Sequence, residues 1–289
     1  MKLFPSYYSY LIASLPDLDF NSRKLPVPFE EALLEIEDFL EGEDKELLRI
    51  YRLKFDNTNL LSLLHRESRF NPLGNFKKER LSGWIDSFSK DDFLGEDLSS
   101  IPCYMKKFLK EYFKESEEEN GSTKGRGTEK ENELTSLYYE YGEGCGNTFF
   151  SEWFEFNLKL NNTFALQTAL RYGLDISKVI VGNNDFANRV RSYATKKEKG
   201  LEEEFEYFND AVRISEIPNL YDREREIDKL KWNWLEAKST FHPLSVEKVL
   251  VFILKMEMLE RWSALSKERG EEKFRGMIEL MKKEHISIS

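Results

Sequence analysis

The residues of this chain best suited to hold a metal or act as nucleophiles are three histidines, His65, His242 and His285, and two cysteines, Cys103 and Cys145. Their spacing builds neither site. No histidine has a second ligand-type residue at a metal-binding interval, and the cysteines are far apart, with no C-x-x-C pair to make a zinc knuckle or a redox centre. His65 falls on a leucine-rich helix and reads as a core-edge residue, while His242 precedes Pro243 and reads as a turn. Gly121-Ser122-Thr123-Lys124-Gly125 resembles a phosphate loop in composition, but lacks the G-x-x-x-x-G-K-[ST] order and a preceding apolar strand. Gly142, Gly144 and Gly146 have no β-α-β frame around them that would make a dinucleotide site. Paired carboxylates such as Glu257 and Glu260 could do acid–base work only in a cleft that separates their pKa values. In a chain that is 33% charged they read first as solvated helix faces. The sequence therefore points to no catalytic residue, no metal and no cofactor.

The elements that would carry these residues are almost all helical, and no alternating strand pattern of useful length occurs. Leu3 to Leu15 is expected to form a short aromatic helix or an extended lead, and helices are expected over Glu30 to Phe39, Asp44 to Phe55, Asn57 to Glu67, Gly83 to Phe88 and Tyr104 to Glu115. After a helix from Glu133 to the Gly142 turn, an aromatic helix (Phe149, Phe150, Trp153, Phe154, Phe156) leads into Leu158 to Arg171. Helices follow over Phe186 to Ala194, Leu201 to Val212, Tyr221 to Glu236, Ser245 to Ser266 and Glu271 to Glu284. The stretch Glu115 to Glu133, rich in Glu, Gly, Ser and Lys, is longer than the roughly 12 to 15 residues at which structureless loops become uncommon, and reads as a flexible linker between lobes.

Composition limits the partners. Of the 289 residues, 53 are acidic and 43 basic, a net charge of -10 that disfavours phosphate backbones and anionic lipid surfaces, so nucleic acid is not expected. The longest apolar run, Val249 to Leu254, ends at Lys255 and is too short to span a bilayer, and Leu11 to Leu15 is cut by Pro16 before it could serve as a signal core. With no disulfide pattern, a reducing, cytoplasmic setting follows, and any membrane association would come through a partner rather than by insertion.

One segment carries a resemblance. Leu158, Ala165, Leu166, Ala169 and Leu170 recur at helical spacing, Arg171 sits in the last turn, Gly173 is a C-terminal stop, and Leu174-Asp175 leads through an apolar stretch to Gly182. This resembles the "N-L-x-x-x-L-R-x-x-x-x-G-L-D" segment of the C subunits of V-type and A-type ATP synthases, whose eukaryotic counterpart is the d subunit. Asp56-Asn57-Thr58-Asn59-Leu60 carries the D-x-x-N-L pattern of that family. Overlaid at an offset of 106 positions, Asp56 falls on Asn162, Asn59 on Ala165, Leu60 on Leu166 and Leu64 on Leu170. Lys255 to Trp262, with Glu257, is similar to the glutamate-bearing helix of the family's third lobe. Ser14 and Pro16 stand where arginines are usual, and Ala165 replaces an asparagine, which is similar to a divergent bacterial branch of that family.

The resemblance implies an all-α chain of three similar helical lobes, roughly 1–114, 134–215 and 216–289 with linker 115–133, arranged as a funnel around a central cavity. It implies a non-catalytic central-stalk adaptor, peripheral to the inner membrane, that couples the shaft subunits of a rotary ATPase to the membrane proteolipid ring. Asp56, Asn59 and Asn162 would cap or cross-link helices, and Gly173, Asp175 and Gly182 would shape a lobe's end. Asp56 is expected to open a helix as its N-cap, with a loss of about 1 kcal/mol on removal. Leu170 is expected to be buried. Two other readings stay open: a helical scaffold or regulatory protein unrelated to rotary ATPases, and an enzyme with a carboxylate/histidine site between lobes.

Overall fold

The computed structural model describes residues 6–22, 24–91, 98–118, 127–196, 200–240 and 244–264. Among them the chain is all-α, with thirteen α-helices, one short 3-10 turn (Leu98–Ser100) and no strand. The helices are α1 (Ser6–Ser14), α2 (Phe29–Phe39), α3 (Gly42–Leu64), α4 (Lys78–Lys90), α5 (Cys103–Glu118), α6 (Gly127–Glu143) and α7 (Thr148–Tyr172). They continue with α8 (Ile176–Val179), α9 (Asp185–Lys196), α10 (Leu201–Glu204), α11 (Phe208–Ser215), α12 (Leu220–Ser239) and α13 (Val246–Ala264). The helix expected over Glu271 to Glu284, His242, His285 and the glycine-rich 121–125 segment lie outside the described residues.

The chain groups into two compact units, one from Met1–Glu41 with Asp228–Ser289, the other from Gly42–Ile227. These limits differ from the lobe limits read off the sequence. The acidic helix α2 buries Phe29, Ala32, Leu33 and Ile36, a spacing of three and four that makes one apolar stripe, and it packs on α13 from the far end of the chain. The 115–133 stretch divides nothing, because α5 and α6 extend into it from both sides and pack on each other. Lys130, only 8% exposed, bridges Glu115 of α5 at 2.8 Å and Glu133 of α6 at 2.7 Å. Glu- and Lys-rich composition suggested a loop here, but Glu115, Lys130 and Glu133 lie on helices and pair between them; residues 119–126 lie outside the described set.

In the larger unit α7 is the central element, packed by α6, α8, α9 and α11. Its start is capped by Asn147, whose Oδ1 accepts from Phe150 N–H at 2.9 Å, and its end is set by Gly173 in the left-handed region (φ 67°). Along it Phe150, Phe154, Leu158, Leu160, Leu166 and Ala169 are buried. Leu170 is not: it is 49% exposed, because α11, the neighbour that covers this flank of the helix, stops at Ser215 beside Arg171. Helical spacing identifies a face and cannot show where the helix packed against it ends. Leu166→Ala should therefore cost about 2 to 5 kcal/mol in urea melts, the usual loss for a buried leucine, whereas Leu170→Ala should cost under about 1 kcal/mol.

Candidate functional site

The polar residues that carry the sequence motifs lie inside the protein, in the Gly42–Ile227 unit. Asn59 and Asn162 are each 1% exposed and lie within the spans of α3 and α7. A carboxamide has one acceptor and one donor side by side, which matches the C=O and N–H of a single residue of extended chain. Asn59 uses it on Asn71: its Oδ1 accepts from Asn71 N–H at 2.6 Å and its Nδ2 donates to Asn71 O at 2.9 Å. Asn162 does the same to Val181, accepting from its N–H at 2.9 Å and donating to its carbonyl at 2.7 Å. Each helix thereby clamps one residue of the loop that follows it.

An arginine completes each clamp. Arg52 Nε donates to Leu73 O at 2.8 Å and its Nη2 to Gly74 O at 3.0 Å. In the second clamp Arg191, contributed by α9, donates to the carbonyls of Ile180 and Gly182. A glycine lets each loop come close to its helix. A Cβ on Gly74 would run into Asp56 Oδ1, and one on Gly182, where φ is +85°, would lie 3.1 Å from Leu158 Cδ2.

Matching Asn59 to Asn162 by the hydrogen bonds they make gives an offset of 103 positions beside the 106 read from the leucines, with Asp56 then opposite Lys159 and Leu63 opposite Leu166. Leucines at helical spacing align with one another at several offsets; the buried amides do not.

Asp56 is not an N-cap. Helix α3 starts at Gly42 and runs unbroken through Asp56, which is fully buried well inside the helix. Its carboxylate accepts from Asn75 N–H at 2.9 Å, Asn75 Nδ2 at 2.8 Å and Phe76 N–H at 3.0 Å, so it fastens the second half of the loop that Asn59 fastens at Asn71. Burial raises its pKa above the ordinary aspartate value, against the pull of those hydrogen bonds and of Arg52. Next to it Asn57 accepts from Tyr104 Oη at 2.7 Å, and burial pushes that phenol well above its usual range.

The remaining motif residues are placed as follows. Leu60 and Leu166 are fully buried. Arg171 Nη2 donates to Ser215 O at 3.0 Å, tying the end of α7 to the end of α11. Asp175 is exposed and caps the four-residue α8, accepting from Ser177 Oγ at 2.7 Å and Ser177 N–H at 3.0 Å. Glu257 lies half-buried on α13, in the other unit.

Sequence reasoning missed a polar seam in that unit. Asp228 and Glu236 are eight residues apart on α12, about two turns, and so share a face. Asp228, 3% exposed, accepts from Trp262 Nε1 at 2.7 Å and from Arg261. Glu236 accepts from Trp232 Nε1 at 2.8 Å and from Lys255 Nζ at 3.1 Å, with the ammonium 4.4 Å from the Trp232 ring centroid. Burial pushes the Glu236 carboxyl up, but the hydrogen bonds from Lys255 and Trp232 outweigh it and leave it below the ordinary glutamate value. The eight-residue interval between two acids on one helix face, opposite a Lys and an Arg-Trp pair, was the available signal.

What this arrangement does chemically is hold chain in place. Among the described residues no group of three or more His, Cys, Asp or Glu side chains is set to bind a metal ion. His65 is exposed just beyond the end of α3. The polar residues above are engaged with loop peptides or with one another.

Residues 5–285 match the model of a family described as protein of unknown function (DUF2764). The chain belongs to this family. The DUF2764 match takes in both clamps and residues of both units. No curated protein and no solved structure matches the chain.

Two variants test the clamps. Asn162→Ala leaves the N–H and C=O of Val181 without partners and should cost about 2 to 4 kcal/mol in urea melts, given roughly 1 to 3 kcal/mol for each unsatisfied buried group. Asp56→Asn keeps the shape but turns a donor toward Asn75 or Phe76, and should cost about 1 to 3 kcal/mol at neutral pH. Because the folded pKa of Asp56 is raised, its own contribution is complete below its unfolded value and declines as pH rises through the folded one. The stability gap between wild type and Asp56→Asn should therefore widen as pH is lowered from 7 toward 4.

Proposed function

We propose that the chain is a non-catalytic mechanical adaptor, and specifically the central-stalk adaptor that couples the shaft of a V/A-type rotary ATPase to its membrane proteolipid ring. The observation that carries this reading is the repeated clamp. Asn59, in the D-x-x-N-L pattern that resembles the C subunits of these synthases, and Asn162, on the helix that carries the L-R…G-L-D segment, each hold one residue of a loop with a buried side-chain amide. Arg171, Gly173 and Asp175 finish the second of these helices and its following turn. In an enzyme the most distinctive polar residues converge on a substrate; here they are fastened to backbone.

Work of this kind suits an adaptor. A part that transmits torque must resist local opening, and loops fixed by buried amides and guanidinium groups open only at the cost of several hydrogen bonds at once. The three-lobed funnel, with a third lobe around Glu257, belongs to the proposal, as does a position on the cytoplasmic face of the membrane through partner subunits. No described helix is long and apolar enough to cross a membrane, in keeping with attachment through partners.

The test is a pull-down of the purified, folded chain with the shaft subunits and the proteolipid ring of its own organism's V-type complex. Binding is expected at low salt, weakened but retained at 1 M salt, where the Debye length is about 3 Å, because an apolar contact survives screening. The chain alone should hydrolyse no nucleotide, and its removal should uncouple ion movement from ATP turnover. Failure to bind both the shaft and the ring would leave a helical scaffold unrelated to rotary ATPases as the reading.

A further inference from the structure

Eight large apolar side chains are strongly exposed among the described residues, and five of them fall in two short segments of the Gly42–Ile227 unit: Leu170, Tyr172 and Leu174, then Leu220 and Tyr221, each between 47% and 69% exposed. Single exposed leucines are ordinary on a protein surface, whereas a concentration of them marks a contact. The two segments lie at one end of the unit. Helices α7 and α11 run in the same direction, since Phe156 meets Tyr207, just ahead of α11, at 5.3 Å between ring centroids, and Arg171 reaches Ser215 O at 3.0 Å at the other end. Both helices therefore finish where Arg171 meets Ser215, and residues 172–174 and 216–221 lead away from that point.

The ends of α7 and α11 present partial negative charge, while α12, which opens at Leu220, presents the opposite end of its dipole. Asp175, Glu216 and Asp222 are exposed and interleave in sequence with the apolar residues. The hydroxyl and N–H of Ser177 hold the Asp175 carboxyl below its ordinary value. The nearby cations are turned to acceptors of the protein itself: Arg171 to Ser215 O, Arg213 to Asp210 at 2.8 Å, and Lys178 to Glu129 at 3.9 Å. Arg223 is half-buried.

We propose that this end of the unit docks a basic amphipathic helix of a partner protein, with a leucine or aromatic ridge set on Leu170, Tyr172, Leu174, Leu220 and Tyr221 and flanking lysines or arginines facing Asp175, Glu216 and Asp222. A helix laid in this way would place its ridge against the apolar side chains and its cations against both carboxylates and helix ends. The inference does not depend on the rotary reading, because it specifies the chemistry of the partner and not the assembly that supplies it.

The experiment is a fluorescence-anisotropy titration of the full chain with two helical peptides of about 18 residues, long enough to be helical in isolation. They share a leucine ridge, one flanked by lysines and the other by glutamates. The lysine peptide is expected to bind, more weakly as salt is raised, and the glutamate peptide is not. Tyr172→Ser with Tyr221→Ser, and separately Glu216→Lys with Asp222→Lys, should each weaken the lysine peptide by about tenfold or more. All four positions are exposed, so the thermal melts of these variants should match wild type. Equal binding of the lysine peptide by wild type and both variants would show attraction to the acidic surface at large and overturn the proposal, as would equal binding of both peptides. A dimer by sedimentation that the tyrosine variant dissolves would assign this end to a second copy of the chain and overturn it too. Lysine-peptide binding without capture of the shaft would sink the rotary reading and leave this docking end standing.

Discussion

Backbone polar groups taken out of water must find partners, and in this protein that requirement falls hardest on two loops drawn against the flanks of long helices. A helix cannot offer its own peptide groups, which are already bonded along its axis. The partner must come from a side chain, and the asparagine carboxamide supplies a donor and an acceptor that match the C=O and N–H of one residue. Asn59 and Asn162 answer the same problem at the same place in two helices. Gly74, Gly182, Arg52 and Arg191 follow from it, since each either permits the close approach or takes up the carbonyls that the amide leaves over.

The acids of the two units illustrate two ways of holding a carboxylate, Asp56 and Asp228 buried and Glu236 at the surface. Asp56 is held chiefly by neutral donors, with a raised pKa. Asp228 and Glu236 each combine an indole N–H with a cation, and there the carboxylate charge is matched directly. The first arrangement fastens a loop to a helix, the second joins one helix to another. In both, carboxylate oxygens are taken up by donors of the protein itself.

The helical character of the chain, the stop at Gly173 and the cap at Asp175 were legible because caps and periodicity are local properties of the sequence. Asp56 was misread for a local reason as well: the run Asp-Asn-Thr-Asn favours a helix start, and only the loop at 71–76 and Tyr104, which take up those side chains, let α3 continue through it. Leu170 depended on where another helix ends, and the pairing of α2 with α13 on contacts between opposite ends of the chain; neither can be read from a window of residues. Asp228 was hidden by composition, since in a chain one-third charged an acid on a helix is taken for surface.

Each asparagine grips the N–H and C=O of a single residue, and the chain from helix end to grip differs, 7 residues from Leu64 to Asn71 and 9 from Tyr172 to Val181. The entropy of closing a loop grows only with the logarithm of its length, so this difference amounts to a few tenths of a kcal/mol. The stretch between the helix end and the gripped peptide is thus a place where the chain tolerates insertion. A lineage could graft new surface there, or an engineer a tag, while the helices and the clamp stay as they are.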